Sequence, residues 1–300
     1  MSNLRERVES IIKVDEKSIK LPRSVKLEMS GICNHKCPFC VVPKQDTNSY
    51  PFMSFETFNM SVSEMYRLKI KELGLFHMGE GTLHPELLTM VEYAKKNFDN
   101  FFEMFITTNG TSLPQLKGLV AHNIKSIKFS LNGYDKESHK KQAGVNDYDL
   151  IMGNLEALIK YRNEINSSTQ ISASSIYYNK PEQDEFSKKV SELVDNFYYT
   201  QLYNHAGKVD NKPVRLTEDI RILPGLNSKP CYGLFNLGHI KVNGIVNMCR
   251  FGVDDEFNLG HISEGLDKLW FSEKAQEIRR KHLEDKIETC NECLNFINKA

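Results

Sequence analysis

Apolar and polar positions along the chain follow two repeating patterns, short strand-like runs and longer helix-like segments. The short runs predict β-strands at Ser24–Met29, Leu73–Met78, Phe102–Thr107, Ser126–Leu131, Gln170–Ile176 and Phe197–Leu202. Between them, residues such as Ile151, Leu155 and Leu158 recur on one helix face. Helices are therefore predicted at Ser54–Leu68, Pro85–Lys96, Leu113–His122, Tyr148–Tyr161 and Glu182–Val194. Repeated strand–helix units predict an α/β fold with a parallel sheet and right-handed crossovers.

Two stretches of the chain do not continue this repeat. Residues 1–22 have the pattern of a short amphipathic helix and lead-in that ends near Pro22. The stretch Lys208–Pro230 has no clear period and contains three prolines, which is typical of a connector. We therefore expect three parts: a lead-in over 1–22, a main domain over 23–222 and a smaller unit over 223–300.

The composition limits the functions that the chain can have. The chain has 39 lysines and arginines and 39 aspartates and glutamates. Its net charge is therefore zero, and no overall positive potential attracts nucleic acid or an anionic membrane. The charged N-terminus lacks the apolar core of a signal peptide, and no stretch approaches the ~18 apolar residues of a membrane span. We therefore expect a cytoplasmic protein, in which seven cysteines indicate metal binding or catalysis more than disulfides.

Three of the cysteines, Cys33, Cys37 and Cys40, follow the first predicted strand at C-x3-C-x2-C spacing. Thiolates this close can converge on one soft metal centre. Because a cubane cluster has four irons, three cysteines leave one iron without a protein ligand, and an open metal position can bind a small molecule. Half of a zinc site, or a redox pair with a spare thiol, would also place cysteines close together, although structural zinc sites favour C-x2-C pairs.

The motif closely resembles that of the radical S-adenosylmethionine (SAM) superfamily. The resemblance implies that residues 23–222 form a partial (βα)6 barrel, with the chemistry at the carboxyl ends of its strands. It also implies that a [4Fe–4S] cluster on the three cysteines chelates SAM and splits one of its carbon–sulfur bonds to give a 5′-deoxyadenosyl radical. A flavodoxin or ferredoxin is the implied electron donor.

Further motifs at the ends of predicted strands resemble SAM-binding segments of this superfamily. Phe76–Gly81 resembles its Gly-Gly-Glu-Pro motif, with the first glycine and the proline replaced, and 107–110 and 130–133 resemble its T-N-G and S-x-D/N-G segments. Small polar residues such as Ser174 also fit a wall that faces a polar ligand. Ordinary turns with a solvated glutamate would contain the same residue types. The SAM contacts implied by the resemblance are Phe39, Gly79, Glu80, Asn109, Ser130 and Asn132.

The loop after the sixth predicted strand, Tyr203–Gly207, resembles a segment near the substrate in related enzymes. Within it, His205 is a candidate general base and Tyr203 a second candidate catalytic residue. A histidine that only satisfies a loop is at least as common. In the cysteine loop, three thiols already fill the expected ligand count, so His35 is expected to face solvent.

The remaining four cysteines lie in the C-terminal unit, where Asn-Gly at 243–244 between apolar pairs predicts a β-hairpin. The hairpin brings Cys231 and Cys249 towards one another, and Cys290 and Cys293 follow a predicted helix. Two such arms can form a four-thiolate site. The arrangement resembles the twitch domain, the shortened form of the SPASM domain, and implies one auxiliary [4Fe–4S] cluster. Zinc would use the same ligands.

The resemblance implies that the radical removes a hydrogen atom from an unreactive carbon, and an auxiliary cluster favours subsequent loss of an electron. We therefore expect an oxidoreductase that acts on a small polar substrate such as a sugar or aminocyclitol, similar to the twitch dehydrogenases of aminocyclitol biosynthesis. Carbohydrate epimerases commonly use a cysteine thiol as hydrogen donor, and all seven cysteines are assigned here. Tyr177, Tyr178 or Tyr203 could donate instead.

Two other kinds of protein remain as alternatives. One modifies a ribosomally made peptide by crosslinking or epimerisation, although 22 residues before the barrel cannot contain the usual leader-binding unit of ~80 residues. The other is a non-catalytic iron–sulfur electron carrier, which the SAM-site motifs disfavour.

Overall fold

The computed structural model describes residues 19–44, 51–200, 202, 204–210, 230–252 and 255–293. Within them, nine strands form one sheet in the order β6-β5-β4-β3-β2-β1-β7-β8-β9. Strands β1 to β6 are parallel, β7 joins β1 in parallel, and β8 and β9 continue antiparallel. The strands are β1 (Ser24–Leu27), β2 (Glu72–Gly74), β3 (Glu103–Thr108), β4 (Ser126–Ser130), β5 (Gln170–Ile176), β6 (Asn196–Thr200), β7 (Leu237–Ile240), β8 (Ile245–Asn247) and β9 (Asn258–His261).

The helices of the described residues follow the strands in the order that a βα repeat requires. Those of the main domain are α1 (Phe55–Arg67), α2 (Leu87–Asn97), α3 (Leu113–Ala121), α4 (Lys136–Ala143), α5 (Tyr148–Glu164) and α6 (Glu182–Leu193). Those of the C-terminal unit are α7 (Tyr232–Asn236), α8 (Leu266–Trp270), α9 (Glu273–Leu283) and α10 (Glu288–Asn291). The predicted α/β fold, a partial (βα)6 barrel with a small C-terminal unit, is confirmed, and its sheet stays open between β6 and β9.

Two local features differ from the sequence-based expectation. Strand β2 ends at Gly74, four residues before the predicted end, because the chain turns there towards the cysteine loop. Helix α4 was not predicted, because its sequence has no apolar stripe and buries only His139 and Ala143. It begins with a capping box, in which Asp135 accepts from the Ser138 amide and the Ser138 side chain accepts in return.

The two faces of the barrel sheet have opposite character. On the outer face, residues such as Met104, Ile127 and Ala173 form one hydrophobic core with helices α1, α2, α3, α5 and α6. Adjacent residues on each strand point to the opposite face, and there the half-buried positions include Lys128 and Ser172. The inner face is therefore the polar one, and it is open to a ligand.

The C-terminal unit extends the barrel sheet at its β1 edge. The predicted hairpin is confirmed, since β7 and β8 pair with Ile240 opposite Val246, and Gly244 adopts a positive φ of 80° in the turn. A second hydrophobic core covers the far side of the hairpin. There Arg279 donates to the carbonyls of Leu234 (3.0 Å) and Trp270 (2.9 Å), so its buried charge has partners.

Helices long and apolar enough to cross a membrane are absent from the described ranges. The predicted domain boundaries, near residues 22 and 222, stay a prediction. Residues 1–18 and 211–229, next to those boundaries, lie outside the described residues.

Candidate active site

The loop after β1 carries the first cysteine set, and its three thiols lie close enough to influence one another. Burial raises the pKa of Cys33 to about 11 and that of Cys37 to about 12, and the neighbouring Cys40 raises both further. Burial also raises the pKa of Cys40. The metal-free thiols are therefore protonated at neutral pH, and metal binding must release protons.

A buried trio of side chains fastens the cysteine loop to α4 and α5. His35, only 4% exposed, has its Nε2 atom 3.0 Å from Asp147 Oδ2, and His139 Nε2 lies 2.6 Å from Asp147 Oδ1. A carboxylate can only accept, so both rings donate to it. The amide of Lys36 also donates to the Ala143 carbonyl (2.8 Å). The expectation that His35 faces solvent is therefore wrong, because the unpredicted α4 covers it.

Replacing Asp147 by asparagine is expected to weaken this brace. An asparagine has one acceptor oxygen, so one buried histidine N–H loses its partner, at a cost of about 1–3 kcal/mol. We expect a lower melting temperature and faster release of iron from the cysteine loop to a chelator. The matched control is Asp149→Asn, whose carboxylate is 72% exposed and pairs with Lys136 at the surface. Equal iron release from both variants would contradict a role of Asp147 in holding the cysteine loop in place.

Glu80 is buried and fully engaged by the chain itself. Its Oε1 atom accepts from the Thr82 amide (3.1 Å), the Thr82 hydroxyl (2.6 Å) and the Thr108 hydroxyl (2.8 Å). Its Oε2 atom accepts from the Asn109 amide (2.7 Å). The reading of Glu80 as a solvated turn residue is therefore wrong. The carboxylate ties the loop after β2 to the end of β3, and its predicted contact with the SAM ammonium group stays a prediction.

The variant Glu80→Gln separates these two roles of the carboxylate. A glutamine presents an NH2 group to one set of donors, so we expect a loss of about 1–3 kcal/mol of stability and a lower melting temperature. If the carboxylate also contacts SAM, the dissociation constant for SAM, measured by equilibrium dialysis, rises as well. Glu86→Gln, at an exposed position, is the control. An unchanged melting temperature in Glu80→Gln would refute the stabilising role of the Glu80 carboxylate.

Gly79 and Asn109 lie against the cysteine loop. A Cβ atom on Gly79 would lie 2.1 Å from the Ser30 carbonyl oxygen, so only glycine fits there. The Asn109 amide group donates to Asn34 Oδ1 (2.7 Å) and lies 3.9 Å from Cys33 Sγ. Both residues thus shape the loop that carries the cysteines, and SAM contacts from them remain predicted.

The other predicted SAM contacts lie on the barrel's inner face or its rim. Ser130 and Ser174 are direct register partners on β4 and β5, at the carboxyl ends of these strands. Asn132 and Phe39 are half-buried, in the loop after β4 and in the cysteine loop. Their positions are compatible with one ligand above the strand ends, and their contacts with SAM stay predictions.

The four C-terminal cysteines come together as the sequence predicts. Cys231, Cys249, Cys290 and Cys293 line one small cavity. Burial raises the pKa of Cys249 to about 12, and the charges of Cys231 and Cys293 raise it further. Burial and the three other thiols likewise raise the pKa of Cys290. Among the described residues that line this cavity, these four thiols are the cysteine donors, and their number fits a cluster with four protein ligands.

The cysteine sulfurs lie further apart than the ligands of a single zinc ion. Tetrahedral zinc with Zn–S bonds of ~2.3 Å requires sulfurs about 4 Å apart. Among the described residues, which include all seven cysteines, the single group of three or more potential ligands within 4.8 Å of one another is His35, His139 and Asp147. Neither cysteine set therefore has three sulfurs at the spacing that one zinc ion requires.

The loop after β6 lies against the second cysteine set. Asn204 donates to the Glu292 carbonyl (2.7 Å), and Gly207 packs on the Glu292 side chain. The His205 ring lies 5.0 Å from that of Phe251, and burial, with the charge of Arg250, lowers the pKa of His205 to about 4. His205 is therefore neutral at pH 7, and the same burial makes its ring a weak base. Tyr203 lies outside the described residues, so its catalytic role stays a prediction.

The two other candidate tyrosines differ in their surroundings. The Tyr177 hydroxyl donates to Asn179 Oδ1 (3.0 Å) at an exposed position. The Tyr178 hydroxyl is buried and has no hydrogen-bond partner in the described part of the chain, and burial, together with the nearby Cys37, raises its pKa.

Sequence reasoning did not single out Asp147 or His139. The capping box at the start of α4 was the one signal that could have revealed them.

Comparison with known proteins agrees with this geometry. A sequence model of the radical SAM superfamily matches residues 27–172. A second, for SPASM, an iron–sulfur cluster-binding domain, matches residues 231–294. A curated relative, the probable GTP 3′,8-cyclase of Thermococcus kodakarensis, is 25% identical over 139 residues, which cover 46% of this chain and 44% of that protein. The match thus spans less than half the length of that relative.

Solved structures with bound ligands share the fold. BtrN in complex with AdoMet and 2-DOIA is 18% identical, with a TM-score of 0.63, over 92% of this chain and 94% of that one. Streptococcus suis SuiB bound to precursor peptide SuiA is 15% identical, with a TM-score of 0.68, over 86% of this chain and 67% of that one. At these identities the likeness concerns the fold alone.

The two matched domains imply two cofactors besides SAM, a SAM-binding [4Fe–4S] cluster and an auxiliary iron–sulfur cluster. The free thiols in each set fit such clusters in number and chemical type. The chain belongs to the radical SAM superfamily and carries a C-terminal SPASM-type domain.

Proposed function

We propose that the protein is a radical SAM oxidoreductase that removes two hydrogens from a small polar substrate of the sugar or aminocyclitol type. When bound, the first cluster supplies one electron to SAM, which yields a 5′-deoxyadenosyl radical that takes a hydrogen atom from a substrate carbon. Cys33, Cys37 and Cys40 would hold this cluster, and three thiolates would leave one of its four irons for SAM. A flavodoxin or ferredoxin supplies the electron.

One observation carries the proposal of an oxidation. The loop after β6, at the substrate end of the barrel, shares a buried contact with the second cysteine set, since Ala206, Phe251 and Cys293 form one cluster. Ala206 also lines the cysteine cavity. A substrate radical above the strand ends therefore lies on the side of the barrel from which an electron can pass to the auxiliary site.

The atoms and electrons of the proposed oxidation are all accounted for. The carbon loses a hydrogen atom to the radical, the adjacent hydroxyl loses a proton to a base, and the remaining electron leaves for the auxiliary site. A carbonyl forms, and 5′-deoxyadenosine and methionine are released. We propose His205 as the base, since it lies in the loop after β6 and its buried Nδ1 atom has no hydrogen-bond partner among the described residues.

Mass spectrometry of the product tests the proposal. Anaerobically reconstituted protein, SAM, a reductant and a panel of sugars and aminocyclitols are expected to give a product two mass units lighter, with one 5′-deoxyadenosine per turnover. Without reductant neither product forms. Solvent deuterium at a substrate carbon without loss of mass would contradict an oxidation and indicate epimerisation.

Two further functions have a specific observation in their favour. The Tyr178 hydroxyl is buried and near enough to Cys37 to be influenced by it, which supports the alternative of a carbohydrate epimerase with a tyrosine hydrogen donor. The shared fold with SuiB, whose structure contains a precursor peptide, favours a peptide-modifying enzyme. If the panel of small molecules gives no product and a peptide is crosslinked or epimerised, the result contradicts the proposed oxidoreductase and favours the peptide-modifying enzyme.

A further inference from the structure

The inner face of the barrel sheet lines a cavity of about 310 Å³, a volume within the ~300–1,000 Å³ range of small-molecule sites. Strands β1, β3, β4, β5 and β6 all contribute lining residues, and none of those residues is acidic. Two of them are lysines, Lys26 on β1 and Lys128 on β4. The cavity therefore has a positive and otherwise uncharged wall.

Neither lysine has a carboxylate partner within the described parts of the chain. The Lys26 ammonium lies 5.3 Å from the centre of the Phe76 ring, and that of Lys128 lies 5.7 Å from the centre of the Tyr198 ring. Glu28, two residues beyond Lys26, instead accepts from the Val242 amide (3.1 Å). Ammonium groups in such surroundings cost free energy unless an anion joins them.

The charges around Lys26 add to this cost. Burial, together with repulsion by Arg250 and Lys128, lowers the pKa of Lys26 to about 7. An anion between the lysines would restore the full charge of Lys26, because an opposite charge favours the protonated form. The cavity thus gains more from a negative group than from a neutral one.

We propose that this cavity is the subsite for an anionic group of the substrate, a phosphate or a carboxylate, held by Lys26 and Lys128. Hydroxyl groups of Thr107, Ser126 and Ser172 line the same cavity and supply further donors. Charge-assisted hydrogen bonds to phosphate or carboxylate are among the stronger ones in proteins.

The cavity extends from the amino ends of the strands towards their middle, since Ser126, Gln170 and Asn196 line it and begin β4, β5 and β6. Lys128 lies two residues before Ser130, the predicted SAM contact at the end of β4, and two residues of a strand span about 7 Å. A molecule with its anionic group at the lysines can therefore present a carbon beneath SAM. This inference rests on the proposed function and narrows the substrate to a phosphorylated or carboxylated sugar, because a cationic aminocyclitol would be repelled.

Calorimetric titration of the reconstituted protein, with SAM at saturation, tests the subsite. The probes are inorganic pyrophosphate, inorganic phosphate and malonate, so phosphate and carboxylate chemistry are compared directly. We expect binding to the wild type, and at least about tenfold weaker binding to Lys26→Met and to Lys128→Met, equivalent to ~1.4 kcal/mol. The control, Lys125→Met, removes an exposed lysine that pairs with Glu103 and is expected to bind like the wild type.

Each outcome decides the proposal. Absence of binding to the SAM-saturated wild type, or equal binding by all variants, would overturn it. Lys26→Met and Lys128→Met lie on different strands, and melting temperatures show which variants fold. The same wild-type preparation is assayed for 5′-deoxyadenosine with SAM and dithionite. If that assay succeeds while no anion binds, the subsite fails and the SAM cleavage that the proposed function requires is retained; if the assay fails, the proposed function fails independently of the subsite.

Discussion

Replacing Cys37 by alanine is expected to abolish cleavage of SAM. The first cluster would keep two thiolate ligands of three, in a loop whose thiols are already costly to ionise because burial raises the pKa of Cys37 to about 12. Changes around metal ligands alone cost about 10–100-fold, so loss of a ligand should reduce 5′-deoxyadenosine formation by more than ~100-fold. Chromatographic quantification of 5′-deoxyadenosine after incubation with SAM and dithionite measures the effect.

The control for this variant lies in the other cysteine set. Iron analysis of Cys37→Ala should still find the iron that Cys231, Cys249, Cys290 and Cys293 hold. Wild-type amounts of 5′-deoxyadenosine from Cys37→Ala would remove the assignment of the first set. So would a loss of iron from the C-terminal unit alone.

The variant Cys290→Ala is expected to separate radical formation from product formation. Cys290 lies in α10, away from the loop after β1, so SAM cleavage should continue at a rate close to that of the wild type. The auxiliary site would lose one of four ligands, and a substrate radical would lose its electron acceptor. We therefore expect 5′-deoxyadenosine without oxidised product, with product below about one hundredth of the wild-type amount by analogy with other metal-site changes.

The comparison of two ratios checks this expectation. The wild type should give one oxidised product per 5′-deoxyadenosine, and Cys290→Ala should give a ratio close to zero. Deuterium from solvent in recovered substrate would show that the radical forms and is then quenched. If Cys290→Ala makes product in the wild-type ratio, the auxiliary site has no part in the oxidation.

The regular parts of the fold follow from local sequence patterns, whereas the hydrogen bonds that hold the site loops together do not. Apolar periodicity located β1 to β6 and five helices, because their buried faces form one core with the sheet. Helix α4 escaped detection because its eight residues are polar, and its role is to cover His35 through His139 and Asp147. Contacts between residues more than a hundred positions apart leave no periodic signal.

The site residues divide in the same way. The cysteines could be identified because metal ligation imposes a fixed spacing on them. The role of Glu80 could not, because its four hydrogen bonds depend on how the loop after β2 meets the end of β3. Lys26 and Lys128 also gave no signal, since a lysine at alternate strand positions is usual on a solvated face. Only the curvature of the sheet places both in one cavity.

In the proposed mechanism, Cys33, Cys37 and Cys40 hold a cluster with one iron open to SAM. Electron–nuclear double resonance of the dithionite-reduced Cys290→Ala/Cys293→Ala variant, with SAM labelled by 17O in its carboxylate, shows whether SAM binds this iron. A resolved 17O coupling that disappears in the additional Cys37→Ala variant is the predicted result. A reduced cluster that shows no coupling to labelled SAM would contradict the claim.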